Sequence, residues 1–281
     1  MLALLYGAIA EMATCLADLL YPRACAGCSA WDYDVCPDCA ALFAPQWRSV
    51  ADHARFLLLV DGSTGQVAPA APVYAMLEYS GRVRNAIVTW KHSHQASLTR
   101  AIVRLWTRGL QDFGGVLEPS PDPQQIVVPV PSKWKRAHDG RLVVRELAAA
   151  VAHQFGIPIV DALRARPPWL LAIAGYRSQS LGWFDLLAAL MKDGLRRVKG
   201  FLRPGRYQSA RFDERRAKRE AVSAKISLAG KRVILVDDVV ASGATLEGAI
   251  RALENAGASV DFVLTLAAPP AKTSSNGAAL S

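Results

Sequence analysis

The sequence predicts an α/β protein, in which a parallel β-sheet flanked by helices follows a small module of one helix and a four-cysteine motif. The segment Lys231 to Val240 is a continuous apolar run, which is typical of a strand buried on both faces of a parallel sheet. A loop, a helical repeat of apolar residues and a second apolar strand follow it, as in a parallel crossover unit. Near the N-terminus, four of the five cysteines stand in two CxxC pairs.

Composition is consistent with this class and locates the charge. The chain has 281 residues, of which 52% are hydrophobic and 20% charged, so it can bury a sizeable core and is too apolar for a disordered chain. The formal net charge is +9. Fourteen of the 33 basic residues and four of the 24 acidic ones lie between Lys192 and Arg232, so this segment carries +10 and the remainder −1. An anionic partner is therefore expected for one segment, and the rest of the chain is near-neutral.

The first element is an amphipathic helix, predicted by apolar residues at three- and four-residue spacings. These are Leu5, Ile9, Met12, Leu16 and Leu19. No basic residue precedes Arg23, and Glu11 and Asp18 interrupt the apolar run, which argues against a signal peptide and a membrane span. We expect the helix to pack on its own protein in the cytoplasm, and peripheral membrane contact is the alternative.

Next come the cysteines, as Cys25-x-x-Cys28 and Cys36-x-x-Cys39. Two CxxC pairs supply the four thiolates that a tetrahedral zinc ion requires. Two disulfides are the rival, which a reducing cytosol opposes, and a redox site would need a single pair. The pattern favours a structural zinc site that closes a small module with few apolar residues.

The remaining elements follow from periodicity and turn residues. A largely irregular stretch is expected over 45–72, with a short strand at 56–60 inside it. The predicted strands lie at 73–79, 126–131, 157–163, 231–240 and 260–266. The predicted helices lie at 83–90, at 98–110, between Gly140 and Gly156, and over 246–253. A disordered tail is expected over 269–281.

The chemistry is concentrated where the apolar strand ends, in Asp237-Asp238-Val-Val-Ala241-Ser-Gly-Ala-Thr245. Two carboxylates are delivered to the carboxyl end of the strand, where open α/β sheets bind ligands. A loop of small residues then enters a helix, so backbone N–H groups and the helix dipole can hold a phosphate. Two adjacent acidic residues at a strand end, or a turn of small residues, commonly have no function beyond the fold when they occur alone. Their combination at this spacing predicts a phosphate site. Walker and Rossmann loops are excluded because their lysine and glycine patterns are absent.

This segment resembles the phosphoribosyl-pyrophosphate (PRPP) signature of type I phosphoribosyltransferases. The chain as a whole resembles the ComF family of competence-associated proteins, which have such a domain after a four-cysteine zinc motif. The further matches are Leu-Leu-Tyr-Pro-Arg-Ala-Cys25, Cys36-Pro-Asp-Cys39, Tyr79-Ser-Gly81, Thr89-Trp-Lys91, Val128-Pro-Val-Pro131 and Glu214-Arg-Arg216. The resemblance implies an N-terminal module over 1–70, a phosphoribosyltransferase-like domain over 71–268 and an insertion at about 167–206.

The resemblance also implies roles for individual residues. Asp237 and Asp238 would meet the ribose hydroxyls of PRPP. Its 5′-phosphate would lie in the loop formed by Ala241, Ser242, Gly243, Ala244 and Thr245. Pyrophosphate, with Mg²⁺, would face Ser132 and Lys133, and Arg215 and Arg216 would belong to a mobile loop. Where the family carries a polar Asn-Gln pair, this chain has Leu142-Val143, so the acceptor region departs from the pattern.

Two functions follow as hypotheses. The first is a phosphoribosyltransferase-domain protein that binds PRPP or a related ribose phosphate and releases pyrophosphate if it is an enzyme. The second is a non-catalytic component of DNA uptake that uses the same fold as a scaffold for single-stranded DNA or a competence helicase. The segment Lys192 to Arg232 is a solvated face, a nucleic-acid surface or a flap over PRPP; Phe201, Tyr207 and Phe212 interleave with its arginines.

Overall fold

A parallel sheet with helices on both faces forms the centre of the molecule. The computed structural model describes residues 23–50, 55–60, 67–113, 122–132, 142–166 and 222–270. Its strands are β1 (Arg48–Ser49), β2 (Leu58–Val60), β3 (Val67–Pro69), β4 (Val73–Glu78), β5 (Gln125–Pro129), β6 (Leu163–Ala165), β7 (Val222–Ala224), β8 (Arg232–Val239) and β9 (Ser259–Ala268). Its helices are α1 (Pro37–Ala41), α2 (Gly81–His92), α3 (Ala96–Phe113), α4 (Val143–Phe155) and α5 (Ala244–Glu254), and a 3-10 turn spans Arg55–Leu57.

The main sheet has the order β1-β4-β9-β8-β5. Strands β4, β9, β8 and β5 are parallel, and the two-residue β1 is antiparallel to β4. An isolated parallel bridge between Val127 and Ile159 adds one more pairing beside β5. Two small antiparallel pairs, β2 with β3 and β6 with β7, lie outside this sheet.

Side chains of β8 alternate between two hydrophobic cores. Ile234 and Val236 belong to the core under α2, α3 and α4, whereas Val233 and Leu235 belong to the core under α5. All four are fully buried, which explains why β8 is apolar at consecutive positions. The sheet is therefore the middle layer of three, and the carboxyl ends of its parallel strands share one edge.

The predicted fold class is confirmed in its architecture of a mostly parallel sheet with flanking helices. The prediction of a strand over 157–163 is wrong for most of its length: the stretch has an isolated bridge at Ile159, and only its last residue belongs to β6 (Leu163–Ala165), which pairs with β7. Within the described residues, none of the helices is long and apolar enough to cross a membrane. The expected N-terminal helix, the insertion at 167–206 and all of the tail beyond 270 lie outside the described residues.

Candidate ligand site and cysteine cluster

A cavity of about 260 Å³ opens at the carboxyl edge of the sheet, between the ends of β5 and β8. The turn after β5 forms one wall, and the end of β8 with the following loop forms another. The residues that line it are Lys91, Val130, Pro131, Ser132, Val144, Asp237, Asp238 and 239–246. The structure thus brings together the predicted acid pair, the predicted loop and Ser132. Lys133, Arg215 and Arg216 lie outside the described residues.

The two carboxylates are held in place by the backbone. Asp237 and Asp238 are only 8% and 7% exposed. The carboxylate of Asp237 accepts a hydrogen bond from the N–H of Asp238 at 2.8 Å. That of Asp238 accepts one from the N–H of Val239 at 2.6 Å. Because these bonds fix both side chains at the strand end, the cavity presents preorganised oxygen acceptors for sugar hydroxyls or a hard cation.

A lysine that the sequence analysis assigned no role completes this group. The Lys91 Nζ lies 2.9 Å from Asp238 Oδ1, and the lysine side chain is 17% exposed. Lys91 comes from the last turn of α2, far from β8 in the chain. The only sequence signal was its place in Thr89-Trp-Lys91, one of the segments that resembles ComF. The described charges of the site are thus two carboxylates and one ammonium.

The loop from Ala241 to Thr245 reaches α5 through a left-handed glycine. Gly243 is the N-cap of α5 with φ +80° and ψ −3°, a conformation that favours glycine. The loop is tied to the 3-10 turn by a hydrogen bond from the Phe56 N–H to the Ser242 carbonyl at 3.4 Å. The first N–H groups of α5 have no partners within the helix by geometry, so this end of the cavity suits an anion.

The four cysteines of the CxxC pairs form a compact cluster. The Sγ atoms of Cys25, Cys28, Cys36 and Cys39 all lie within 4.8 Å of one another, and all four cysteines are free thiols. A tetrahedral zinc ion with Zn–S bonds of about 2.3 Å needs sulfurs about 3.8 Å apart, so the donor set fits a metal such as zinc. The backbone N–H of Cys36 donates to Cys25 Sγ at 3.3 Å, which also suits a charged sulfur.

The local environment shifts the pKa values of two of these thiols in opposite directions. Burial disfavours the charged form of Cys25, but hydrogen bonds from the backbone N–H groups of Cys36, Cys28 and Gly27 outweigh it and lower the pKa to about 6. Burial, together with the neighbouring sulfurs, raises the pKa of Cys39 well above its ordinary value. The cluster therefore already favours a thiolate at Cys25 and gives up the Cys39 proton only to a strong competitor such as a metal ion.

One family model matches the part of the chain that contains the acid pair and the following loop. The family model described as "Phosphoribosyl transferase domain" matches residues 171–276, which include β8, the acid pair, the loop, α5 and β9. Among solved structures, adenine phosphoribosyltransferase from Leishmania tarentolae is similar at 14% identity with a TM-score of 0.29. That match covers 72% of this chain and 93% of the other. No curated protein matches the chain. The family match and the sheet together give a phosphoribosyltransferase-like fold, with a cysteine cluster ahead of it.

Proposed function

We propose that this chain is a ComF-like protein that binds PRPP, or a related ribose phosphate, with Mg²⁺ in the cavity at the carboxyl edge of the sheet. The observation that carries the proposal is the joint placement of a buried acid pair and a helix-capping loop around one cavity. The family match over the same residues supports it. We assign the protein to the cytoplasm, in a process such as DNA uptake, on the resemblance to ComF proteins alone.

Each part of the cavity suits one part of such a ligand. The Asp237 and Asp238 carboxylates accept hydrogen bonds from the two ribose hydroxyls. The N–H groups that follow Gly243, with the positive end of α5, hold the 5′-phosphate. Ser132, from the turn after β5, faces the pyrophosphate, and Lys133 follows it in the sequence. The carboxylate and hydroxyl oxygens are the donors that Mg²⁺ prefers, so the residues fit this ion, which would neutralise charge on pyrophosphate.

If the protein is an enzyme, the reaction is a displacement at the anomeric carbon. A nucleophile donates its electron pair to that carbon, and the carbon–oxygen bond to pyrophosphate breaks with its electrons on the leaving oxygen. The proton of the nucleophile passes to solvent or a base. Such a reaction depends on positioning and on charge stabilisation of the leaving group, so none of the protein side chains has to form a covalent bond.

We assign the cysteine cluster a structural zinc ion. A module of this size has few apolar side chains to bury, and a bound metal supplies the folding energy that the core cannot. The thiolate preference of Cys25 and the close grouping of the four sulfurs support this assignment.

The first test is calorimetric titration of the zinc-loaded protein with PRPP and Mg²⁺. We expect saturable binding that Asp237→Asn with Asp238→Asn weakens at least about 100-fold, since two hydrogen bonds to charged groups are worth about 1.5–3 kcal/mol each. The matched control is Asp161→Asn, which neutralises a half-exposed carboxylate that pairs with Arg145 outside this cavity. Lack of saturable binding by the wild type, or an equal loss in the control, would overturn the proposal.

The charge distribution favours a second candidate, the non-catalytic scaffold for single-stranded DNA or a helicase. The observation behind it is the +10 segment between Lys192 and Arg232. The apolar Leu142-Val143 in place of the family's Asn-Gln pair also fits a site without an acceptor. Pyrophosphate release from PRPP with a panel of nucleobases separates the two candidates. Turnover that the Asp237→Asn with Asp238→Asn variant abolishes supports an enzyme, and PRPP binding without turnover supports the scaffold.

A further inference from the structure

Helix α2 contacts the cysteine module, the segment from Cys25 to Cys39, along one side. The Asn85 side-chain N–H donates to the Gly27 carbonyl at 3.3 Å, and the Thr89 hydroxyl donates to the Ala26 carbonyl at 3.4 Å. Asn85 and Thr89 are four residues apart and therefore share a helix face. Both acceptors belong to the turn Cys25-Ala-Gly-Cys28, so α2 is hydrogen-bonded to the backbone that carries two of the four sulfurs.

Packing at Gly27 makes this contact close. A Cβ atom at Gly27 would lie 2.8 Å from Cys39 Sγ and 3.2 Å from the Arg82 carbonyl in the first turn of α2. Only a residue without a side chain leaves this space free. A third hydrogen bond, from the Ser97 hydroxyl to Asp34 Oδ1 at 2.8 Å, joins the module to the start of α3. A change in the geometry of the cysteine turn must therefore move these helices or break these contacts.

The same helix delivers Lys91 to the ligand cavity. Lys91 is two residues after Thr89, which is about 3 Å further along the helix axis. Its ammonium is the described cation that contacts the acid pair. The negative charge of the acid pair opposes the binding of an anionic ligand. An ammonium held at this point offsets the charge of Asp238. A displacement of α2 that lengthens the contact weakens this attraction, which varies inversely with distance.

We propose that the cysteine module positions Lys91 against Asp238 through helix α2, so that metal loading of the module and ligand binding in the cavity are coupled. This inference rests on the proposed function, because the coupling is expressed as PRPP affinity. Coupling is reciprocal: if metal loading strengthens PRPP binding by a given factor, PRPP must strengthen metal binding by the same factor. Asn85 and Thr89 act here as positioning residues, and the module acts on the cavity through Lys91.

The experiment separates the contact from the metal ligands. Asn85→Ala with Thr89→Val removes both hydrogen bonds and leaves the cysteines and the cavity residues unchanged. In the zinc-loaded protein we expect about 5-fold weaker PRPP·Mg²⁺ binding by calorimetry, the lower end of typical coupling. Thr107→Val is the matched control, because it removes a half-buried hydroxyl on α3 that bonds within its own helix, to the Val103 carbonyl.

Lys91→Met shows whether the effect passes through Lys91. In that background the Asn85→Ala with Thr89→Val pair should have no further effect on PRPP affinity, since the positioned group is gone. A full additive loss would overturn the proposal, and so would unchanged affinity in the pair with Lys91 present. Zinc affinity, measured by chelator competition, should rise about 5-fold with saturating PRPP; no change would contradict the coupling.

Hydrogen exchange distinguishes failure of this inference from failure of the proposed function. If the wild type does not bind PRPP, the proposed function fails, and the structural link is still measurable. Amides of residues 89–93 should exchange faster after chelation of the metal, and the Asn85→Ala with Thr89→Val pair should produce the same increase with the metal in place. Equal exchange rates in all three samples would show that α2 does not depend on the module.

Discussion

Asp238 is the residue on which the site depends most. Its carboxylate is aligned by the Val239 N–H and neutralised by Lys91, while its neighbour Asp237 accepts from the Asp238 N–H. Burying two adjacent carboxylates is costly unless they are hydrogen-bonded and paired, and these contacts reduce that cost. Adjacent buried carboxylates at the edge of a cavity are a feature of ligand and cation sites.

Gly243 is expected to matter for a different reason, its backbone. At φ +80°, Gly243→Ala should destabilise the fold by about 1–2 kcal/mol and place a methyl group in the loop that is proposed to hold the 5′-phosphate. We expect PRPP affinity to fall about 10-fold, as measured by calorimetry, alongside the loss of stability seen in denaturant unfolding.

Gly156→Ala is the matched control for Gly243→Ala. Gly156 ends α4 with φ +65° and has open space around its Cβ position, so it carries the same backbone penalty away from the cavity. It should lose similar stability and keep its ligand affinity. If both variants lose ligand affinity equally, the loop at Gly243 acts only through stability.

The elements that could be predicted from the sequence are those whose structure is determined by a local pattern in their own residues. Strand β8 and helix α5 follow from a continuous apolar run and a helical repeat, and the acid pair and loop follow from their junction. The short strand β1 could not be predicted, because its two residues carry no period and are held by β4. The β6–β7 pair joins segments far apart in the chain, so no local turn signal exists for it.

The same distinction applies to the candidate sites. The four cysteines could be predicted as a cluster because two CxxC pairs a few residues apart are typical of a four-thiolate metal site. The approach of Lys91 to Asp238 could not, since it depends on how α2 crosses the edge of the sheet. Contacts between the module and α2 are likewise tertiary: Asn85 and Thr89 donate to backbone carbonyls, which every residue type offers.

The cysteine module should bind zinc with a distinctive pH dependence. Each thiol that is protonated in the free module must lose its proton to bind the metal, so affinity falls as the pH falls. Cys39, with its raised pKa, releases a proton at every pH near neutrality. Cys25 is already a thiolate above its pKa of about 6, and below this pH it adds one more proton to the exchange.

Zinc affinity is measured by chelator competition from about pH 5 to 8 and its logarithm is plotted against pH. Below about pH 6 the slope of this plot should be greater by about one, which corresponds to one more proton released. The pH dependence of the chelator itself, measured in parallel, is the control. A constant slope across this range would contradict a thiolate preference at Cys25.

For the whole molecule, the distribution of charge matters more than its sum. Outside the segment from Lys192 to Arg232 the chain has a net charge of −1, so it offers no general attraction for nucleic acid. The β6–β7 pair brackets most of this basic segment in the sequence, and β6 follows the strand bridge beside β5. The chain therefore enters the basic segment from the edge of the sheet where β5 leads to Ser132. Two anions are candidates for binding to this segment: the phosphate groups of PRPP and those of DNA.

Reversing the charge of two arginines in the segment distinguishes these two candidates. If the segment binds single-stranded DNA, Arg203→Glu with Arg206→Glu should weaken binding in a salt titration. The negative slope of log K against log salt should become shallower by about 1.4, about 0.7 for each DNA phosphate that the variant no longer neutralises. Arg100→Glu with Arg104→Glu reverses two exposed charges on α3 and changes the net charge equally, so it should leave the slope nearly unchanged. Unchanged binding by the first pair would exclude these arginines from a DNA surface. If that pair instead weakens PRPP binding alone, the anion that the segment serves is the phosphate of the small ligand.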